Sequence, residues 1–328
     1  MNPRRRRPIR AAALTAVAAL TLAGTSGCRS DSQATGCSHG KNENDGTLDV
    51  VASFYPMAFL AEQVGGPHVR VSSLTQPGQE PHDLEISARQ TACLQESDAV
   101  LYLKGLQPSV DDAVAQSEVR TKIDAASLTT LEKHGNEVGG HAAAHDDSPG
   151  EEEGGGKDPH LWLDPVRYAQ VAAGVGRAFE KADPDHADGY RARTRTLTAR
   201  LHALDTRYAD GLRSTRSKVF ITTHAAFGYL AERYGITEEA INGLDPDSEP
   251  SAARVRGLES MARADGVSTV FYETLVSDAT AKTVAKDAGL RTDVLDPIEG
   301  ITPKSRGRDY FQVMDANLTA LRTALGAR

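Results

Sequence analysis

Three histidines stand in three different local sequences: His82 in TQPGQEPHDLE, His160 in DPHLWLDP and His224 in VFITTHAAFGYL. They lie 78 and 64 residues apart, so no local finger or hairpin can join them. If the fold brings them together, three neutral imidazoles make a site for a borderline-soft divalent ion, Zn2+ first. Manganese and calcium prefer more oxygen. A tetrahedral zinc site takes a fourth ligand. Asp296, in VLDPIEG, offers a carboxylate that leaves only one net positive charge to bury. Glu80, two residues before His82, and water are the alternatives. Cys28, Cys37 and Cys93 form no CxxC pattern, so thiolate ligation is not expected.

Positioning such residues requires a scaffold. From residue 48 onward, short apolar runs alternate with helical patterns: LDVVASF, then PMAFLAEQVG; HVRVSSL, then SARQTACLQES; DAVLYL, then a helix near 108–118. The alternation resumes with SKVFITT, STVFYE and RTDVLD as strands among helices, and DYFQVMDANLTALRTAL closes the chain as a helix. This is the signature of βαβ units and mostly parallel sheets. Between the two runs, Tyr190, Leu197, Leu201, Leu204, Tyr208 and Leu212 recur at steps of three, four and seven. They mark one face of a long helix. The expected fold is therefore α/β: two (βα)n lobes with mostly parallel sheets, joined by a long rigid backbone helix. The lobes span 47–185 and 214–328, with the helix at 186–213. In open α/β sheets, ligands collect beyond the carboxyl ends of strands. That places the metal in the crevice between lobes, with two ligands from each half.

Residues 132–157, EKHGNEVGGHAAAHDDSPGEEEGGGK, carry almost no large apolar side chains. They read as a mobile loop, since little burial offsets the entropy of ordering. His134, His141 and His145 make this loop a candidate low-affinity metal-collecting site, against the plainer reading of a solvated insertion.

The start of the chain has the layout of a secretory leader: Arg4–Arg7 and Arg10, an apolar stretch over 9–23, then TSGC. The expected division is a signal peptide over 1–27 and a flexible Ser/Gly/Asn-rich tether over 28–46. Cys28 follows a small residue at the end of the apolar stretch, as in a bacterial lipobox, although Thr25 stands where Leu is usual. Lipidation of Cys28 would anchor the chain to the outer face of the cell membrane. Removing the five arginines of 1–27 takes the formal charge from −8 to −13. With no basic stripe left, nucleic acid is not an expected partner.

The pieces VVASFYPMAFLAEQVGG, PGQEPHDLE, DAVLYLKG, DPHLWLDP, THAAFGYLAERYGI, EPSAARV and VLDPIEG resemble the cluster A-I metal-binding proteins of ATP-binding-cassette importers. The zinc-uptake branch is the nearer match. The resemblance runs from about residue 48 to the C-terminus. It implies two αβ lobes on a backbone helix, metal held between them and limited closure. In the manganese branch the position of His224 is usually Glu, so His there favours zinc. Zinc members often carry a strongly His-rich loop; here it has three His and is more acidic.

The expected function is extracytoplasmic capture of Zn2+ and its delivery to a membrane permease driven by a cytoplasmic ATPase, by a monomeric, lipid-anchored, non-enzymatic chain. A manganese or iron importer component of the same family is the nearest alternative. A zinc-dependent hydrolase is the competitor from another class; no HExxH motif supports it.

Overall fold

The computed structural model describes residues 46–135, 137–138 and 157–327. The leader, Cys28, nearly all of the tether, His141 and His145 lie outside the described residues.

The first sheet has four parallel strands in the order β2-β1-β3-β4: β1 Leu48–Ala52, β2 Val69–Ser73, β3 Ala99–Tyr102 and β4 Thr121–Asp124. Helices α1 (Tyr55–Gly65), α2 (Ala88–Glu96) and α3 (Pro108–Gln116) make the crossovers. The second sheet has five strands in the order β5-β7-β6-β8-β9: β5 Glu137–Val138, β6 Val219–Thr222, β7 Thr237–Ala240, β8 Thr269–Tyr272 and β9 Arg291–Val294. Its strands are parallel except β5, which pairs antiparallel with β7. Helices α4 (Pro165–Ala182) and α5 (Ala187–Leu212) lie between the sheets in the chain; α6 (Gly228–Tyr234), α7 (Ala252–Ala264), α8 (Ala279–Ala288) and α9 (Tyr310–Leu325) follow.

Helix α5 fills 26 residues, about 39 Å at ~1.5 Å per residue. Its buried positions are Tyr190, Leu197, Leu201, Leu204, Tyr208 and Leu212, the face expected from the periodicity. It ties to both halves. Arg193 Nε donates to Val64 O on α1 at 2.9 Å, and Tyr208 Oη donates to Met314 O on α9 at 2.7 Å. Helix α9 also reaches back to the first half: Phe59 packs tilted on Tyr310 and edge-on to Phe311, with ring centroids 5.4 and 5.8 Å apart. One apolar core therefore runs through α1, α4, α5 and α9, with a smaller cluster on the far face of each sheet. Splitting such a shared core would expose several large aromatic side chains at about 25 cal/mol per Å². The lobes are accordingly braced by two helices rather than one.

Two elements escape the sequence reading. Strand β7 contains Glu238 and Glu239, and both are buried. Adjacent carboxylates argue against a buried strand. Here Thr222 Oγ1 and Phe227 N donate to Glu238 Oε1, and Arg254 Nη2 donates to Glu239 Oε2. The segment 132–157 is also held at its start: Asp158 N donates to Glu132 O at 2.8 Å, and β5 adds to the sheet edge. Cys93, on α2, is disulfide-bonded; its partner is outside the described residues. Among the described residues no helix is long and apolar enough to cross a membrane.

Candidate metal centre

Each histidine sits in a loop or at the edge of a regular element. His82 lies in the loop after β2, and His224 follows β6 by two residues. His160 opens a 3-10 turn, Leu161–Leu163, that leads into α4. Asp164 caps α4 through Val166 N at 2.9 Å and takes a two-pronged bond from Arg233. The 3-10 turn is fixed by Trp162, which is fully buried. Its Nε1 donates to Pro297 O at 2.7 Å, and its ring packs on Phe54 and on His160. One indole thus clamps the segment after His160 to the turn after β9. Trp162→Ala is expected to cost about 3–5 kcal/mol of stability. Urea unfolding of the metal-free chain measures this, and a loss below about 1 kcal/mol would show the clamp to be unimportant.

The three imidazoles converge. Ring centroids are 5.4 Å apart for His82–His160, 5.3 Å for His160–His224 and 6.1 Å for His82–His224. The carboxylate among them is Glu299. Its Oε1 lies 3.1 Å from His82 Nε2, 3.3 Å from His160 Nε2 and 3.7 Å from His224 Nε2. One ligand atom from each of the four residues falls within 4.8 Å of all the others. His160, His224 and Glu299 are buried, and His82 is the partly open side.

Asp296 is not in this group, contrary to the sequence expectation. Its Oδ1 accepts from Ile298 N at 2.8 Å and its Oδ2 from Thr274 Oγ1 at 3.1 Å. Its backbone is pinned both ways by Asn317 on α9. Ile298 takes φ +60°, a left-handed conformation that a β-branched residue adopts only when its surroundings enforce it. Asp296 therefore builds a tight turn, and the turn aims Glu299 into the cluster. The signal in the sequence was a second acid three residues on, in the same DPIEG run; the reversal of direction at Ile298 was not legible. Glu80 also stands outside the four. Its Oε1 accepts from His82 N at 3.0 Å, while Oε2 is buried without a partner. Burial, then the charges of Glu299 and Glu273, push its pKa up to about 9.

Two carboxylates orient the deep rings from behind. Asp158 Oδ1 accepts from both His160 N and His160 Nδ1, at 2.9 and 2.8 Å. Glu273 Oε1 accepts from His224 Nδ1 at 2.7 Å and from Thr223 Oγ1 at 2.9 Å. With Nδ1 so committed, Nε2 of each ring faces the cluster and becomes the metal-binding atom once its proton is lost, the arrangement that prepares imidazole for a metal. His160 Nε2, His224 Nε2 and Glu299 Oε2 are buried and make no directional hydrogen bond. Burial by itself lowers the pKa of His160 and His224. The Asp158 and Glu299 carboxylates outweigh it for His160, and Glu273 and Glu299 do so for His224, which stands well above the imidazole range. Burial raises Glu299, but the three imidazoles hold it well below the usual carboxylate range.

Of the loop histidines, His134 is described. It joins no part of this cluster but belongs to a second group with Glu132 and Glu232.

Fold and site together define a two-lobed α/β binding protein with a buried three-imidazole, one-carboxylate group between its sheets. The chain belongs to the ZnuA family, zinc-uptake complex component A periplasmic, whose profile matches residues 50–324. It is 35% identical over 292 residues to the zinc-binding lipoprotein AdcA of Streptococcus pneumoniae, covering 87% of this chain and 57% of that one. It thus spans little more than half the length of that relative. It is 31% identical over 289 residues to the high-affinity zinc uptake system protein ZnuA of Bacillus subtilis, covering 85% and 88% of the two chains. The crystal structure of the Zn(II)-bound ZnuA-like domain of S. pneumoniae AdcA matches with a TM-score of 0.70 at 33% identity, over 85% of this chain and 99% of that one.

Proposed function

We propose that this protein captures Zn2+ between its lobes outside the cytoplasm and hands it to an ATP-binding-cassette permease with its cytoplasmic ATPase. His82 Nε2, His160 Nε2, His224 Nε2 and a Glu299 oxygen are the four ligands. The convergence of three Nε2 atoms on Glu299 Oε1, with two of the rings oriented from behind by buried carboxylates, carries the reading. Three nitrogens and one oxygen suit zinc; manganese would draw on more oxygen. The ion is cargo and no bond is broken. A leader over 1–27 and a lipid on Cys28 would keep the chain at the outer face of the cell membrane, consistent with the lipoprotein name of the pneumococcal relative.

Helices α5 and α9 brace both lobes, so opening the site needs work from outside. The docked permease is the source of that work in this reading. Competitive titration with a chromophoric chelator tests the choice of metal. Zinc is expected to bind at least about 1000-fold more tightly than manganese, as ligand softness and the Irving–Williams order require. Comparable affinities would reject the zinc assignment. Zinc-limited growth of a strain lacking the protein, restored by the wild-type chain but not by His224→Ala, tests delivery.

A further inference from the structure

We propose that Glu132, His134 and Glu232 form a second divalent-cation site, weaker than the first, open to solvent on one side and suited to a zinc-class ion. The His134 side chain is 7% exposed and its ring is fixed. Nδ1 donates to Asp158 Oδ2 at 2.6 Å, the ring edge meets Tyr229 at 4.5 Å, and Gly228 leaves it room. A Cβ on residue 228 would lie 2.5 Å from Nδ1. Nε2 is thereby turned toward Glu232 Oε2, 3.7 Å away and beyond hydrogen-bond reach. A Glu132 oxygen completes the group within 4.8 Å. Glu132 is itself anchored, since its backbone N donates to Tyr229 Oη at 2.9 Å. Glu232 is 52% exposed and forms the entrance.

The construction repeats that of the inner site: an imidazole oriented through Nδ1 by a buried carboxylate, presenting Nε2 to further oxygens. It even uses the same carboxylate, Asp158, whose Oδ1 orients His160 and whose Oδ2 orients His134. A cation already serves the two glutamates here. Arg167 bonds Glu132 and approaches Glu232 Oε2 at 3.9 Å. An incoming divalent ion takes its place, while Arg167 keeps Thr130 O, Asp164 and the face of Tyr229 at 4.6 Å. That exchange, and a set of three ligands instead of four, makes the site the weaker one. It differs from a collecting loop because its third ligand comes from α6, far from 132–157 in the chain.

The test is a zinc titration of the full chain against a chromophoric chelator, with Co2+ absorption as a second readout. Wild type is expected to take two ions, the second at least about 100-fold more weakly than the first. Glu232→Gln, at an exposed position, should weaken the second ion about 10-fold or more and leave the first unmoved. His134→Ala should also weaken the second ion about 10-fold or more. Glu299→Gln should weaken the first and spare the second, so this proposal does not stand or fall with the inner site. A second ion indifferent to both Glu232→Gln and His134→Ala, or lost only with His141→Ala and His145→Ala, overturns it. So does a wild type that takes one ion only.

Discussion

Glu299→Gln is expected to weaken zinc binding by about 10²–10³-fold, because an apparent zinc-site free energy of about 10–16 kcal/mol shared among four ligands is about 3–4 kcal/mol each. The substitution keeps the shape of the side chain and removes its charge. Asp158 and Glu273 stand behind the rings, so Glu299 is the one carboxylate grouped with the three imidazoles, and an amide at 299 removes that anionic ligand. Folding should survive. Without the Glu299 charge the imidazoles hold their protons less firmly, so the metal-free variant can bury them neutral. Asp296→Asn is the control. It disturbs the turn that carries Glu299, so a loss of about 10–100-fold is expected, as for other groups that support a ligand without touching the metal. Isothermal titration of both variants decides. Near-wild-type affinity in Glu299→Gln together with collapse in Asp296→Asn would return the ligand role to Asp296.

Acidification should weaken zinc binding steeply. Protons and zinc compete for the same Nε2 lone pairs. The pKa of His160 and that of His224 are raised in the metal-free protein by the carboxylates around them, so both rings hold protons that zinc must expel. The sign follows: affinity rises with pH until those raised values are passed, and falls as pH drops below them. Two expelled protons give up to about 100-fold per pH unit. The window starts above the ordinary imidazole value of about 6.5 and extends below it. Calorimetry in buffers of different ionisation enthalpy counts the protons released. An affinity flat from about pH 6 to about pH 8 would mean that the rings are already neutral. Glu299→Gln should flatten the profile, since one carboxylate that favours the imidazoliums is gone.

The same carboxylates explain why the empty cluster is stable enough to wait for metal. Glu299, depressed by its imidazoles, contributes stability above its unfolded pKa of about 4.3, lost as pH falls through the lower folded value. The raised His160 and His224 contribute below their unfolded pKa, and that contribution is lost as pH rises through the folded values. Zinc takes over where the protons leave.

Much was legible without a structure. The three histidines, the alternation of strands with helices and the six-residue face of α5 are encoded over short stretches, by residue type and by periods of 2 and 3.6. A side chain's fit to zinc is likewise a matter of its chemistry alone. Direction and partnership were not legible. Asp296 and Glu299 are two acids in one short run, and which of them faces the imidazoles depends on the left-handed backbone at Ile298 and on Trp162 holding Pro297. Strand β7 went unread in the sequence, since Arg254 and Thr222, the groups that satisfy its adjacent glutamates, arrive from elsewhere in the chain. His134 read as one of three loop histidines until α6 set Glu232 beside it and Asp158 turned its ring. Composition and periodicity report what each segment can do; only long-range contacts decide which of several equivalent polar groups shares a buried charge, since that choice is made by neighbours distant in sequence.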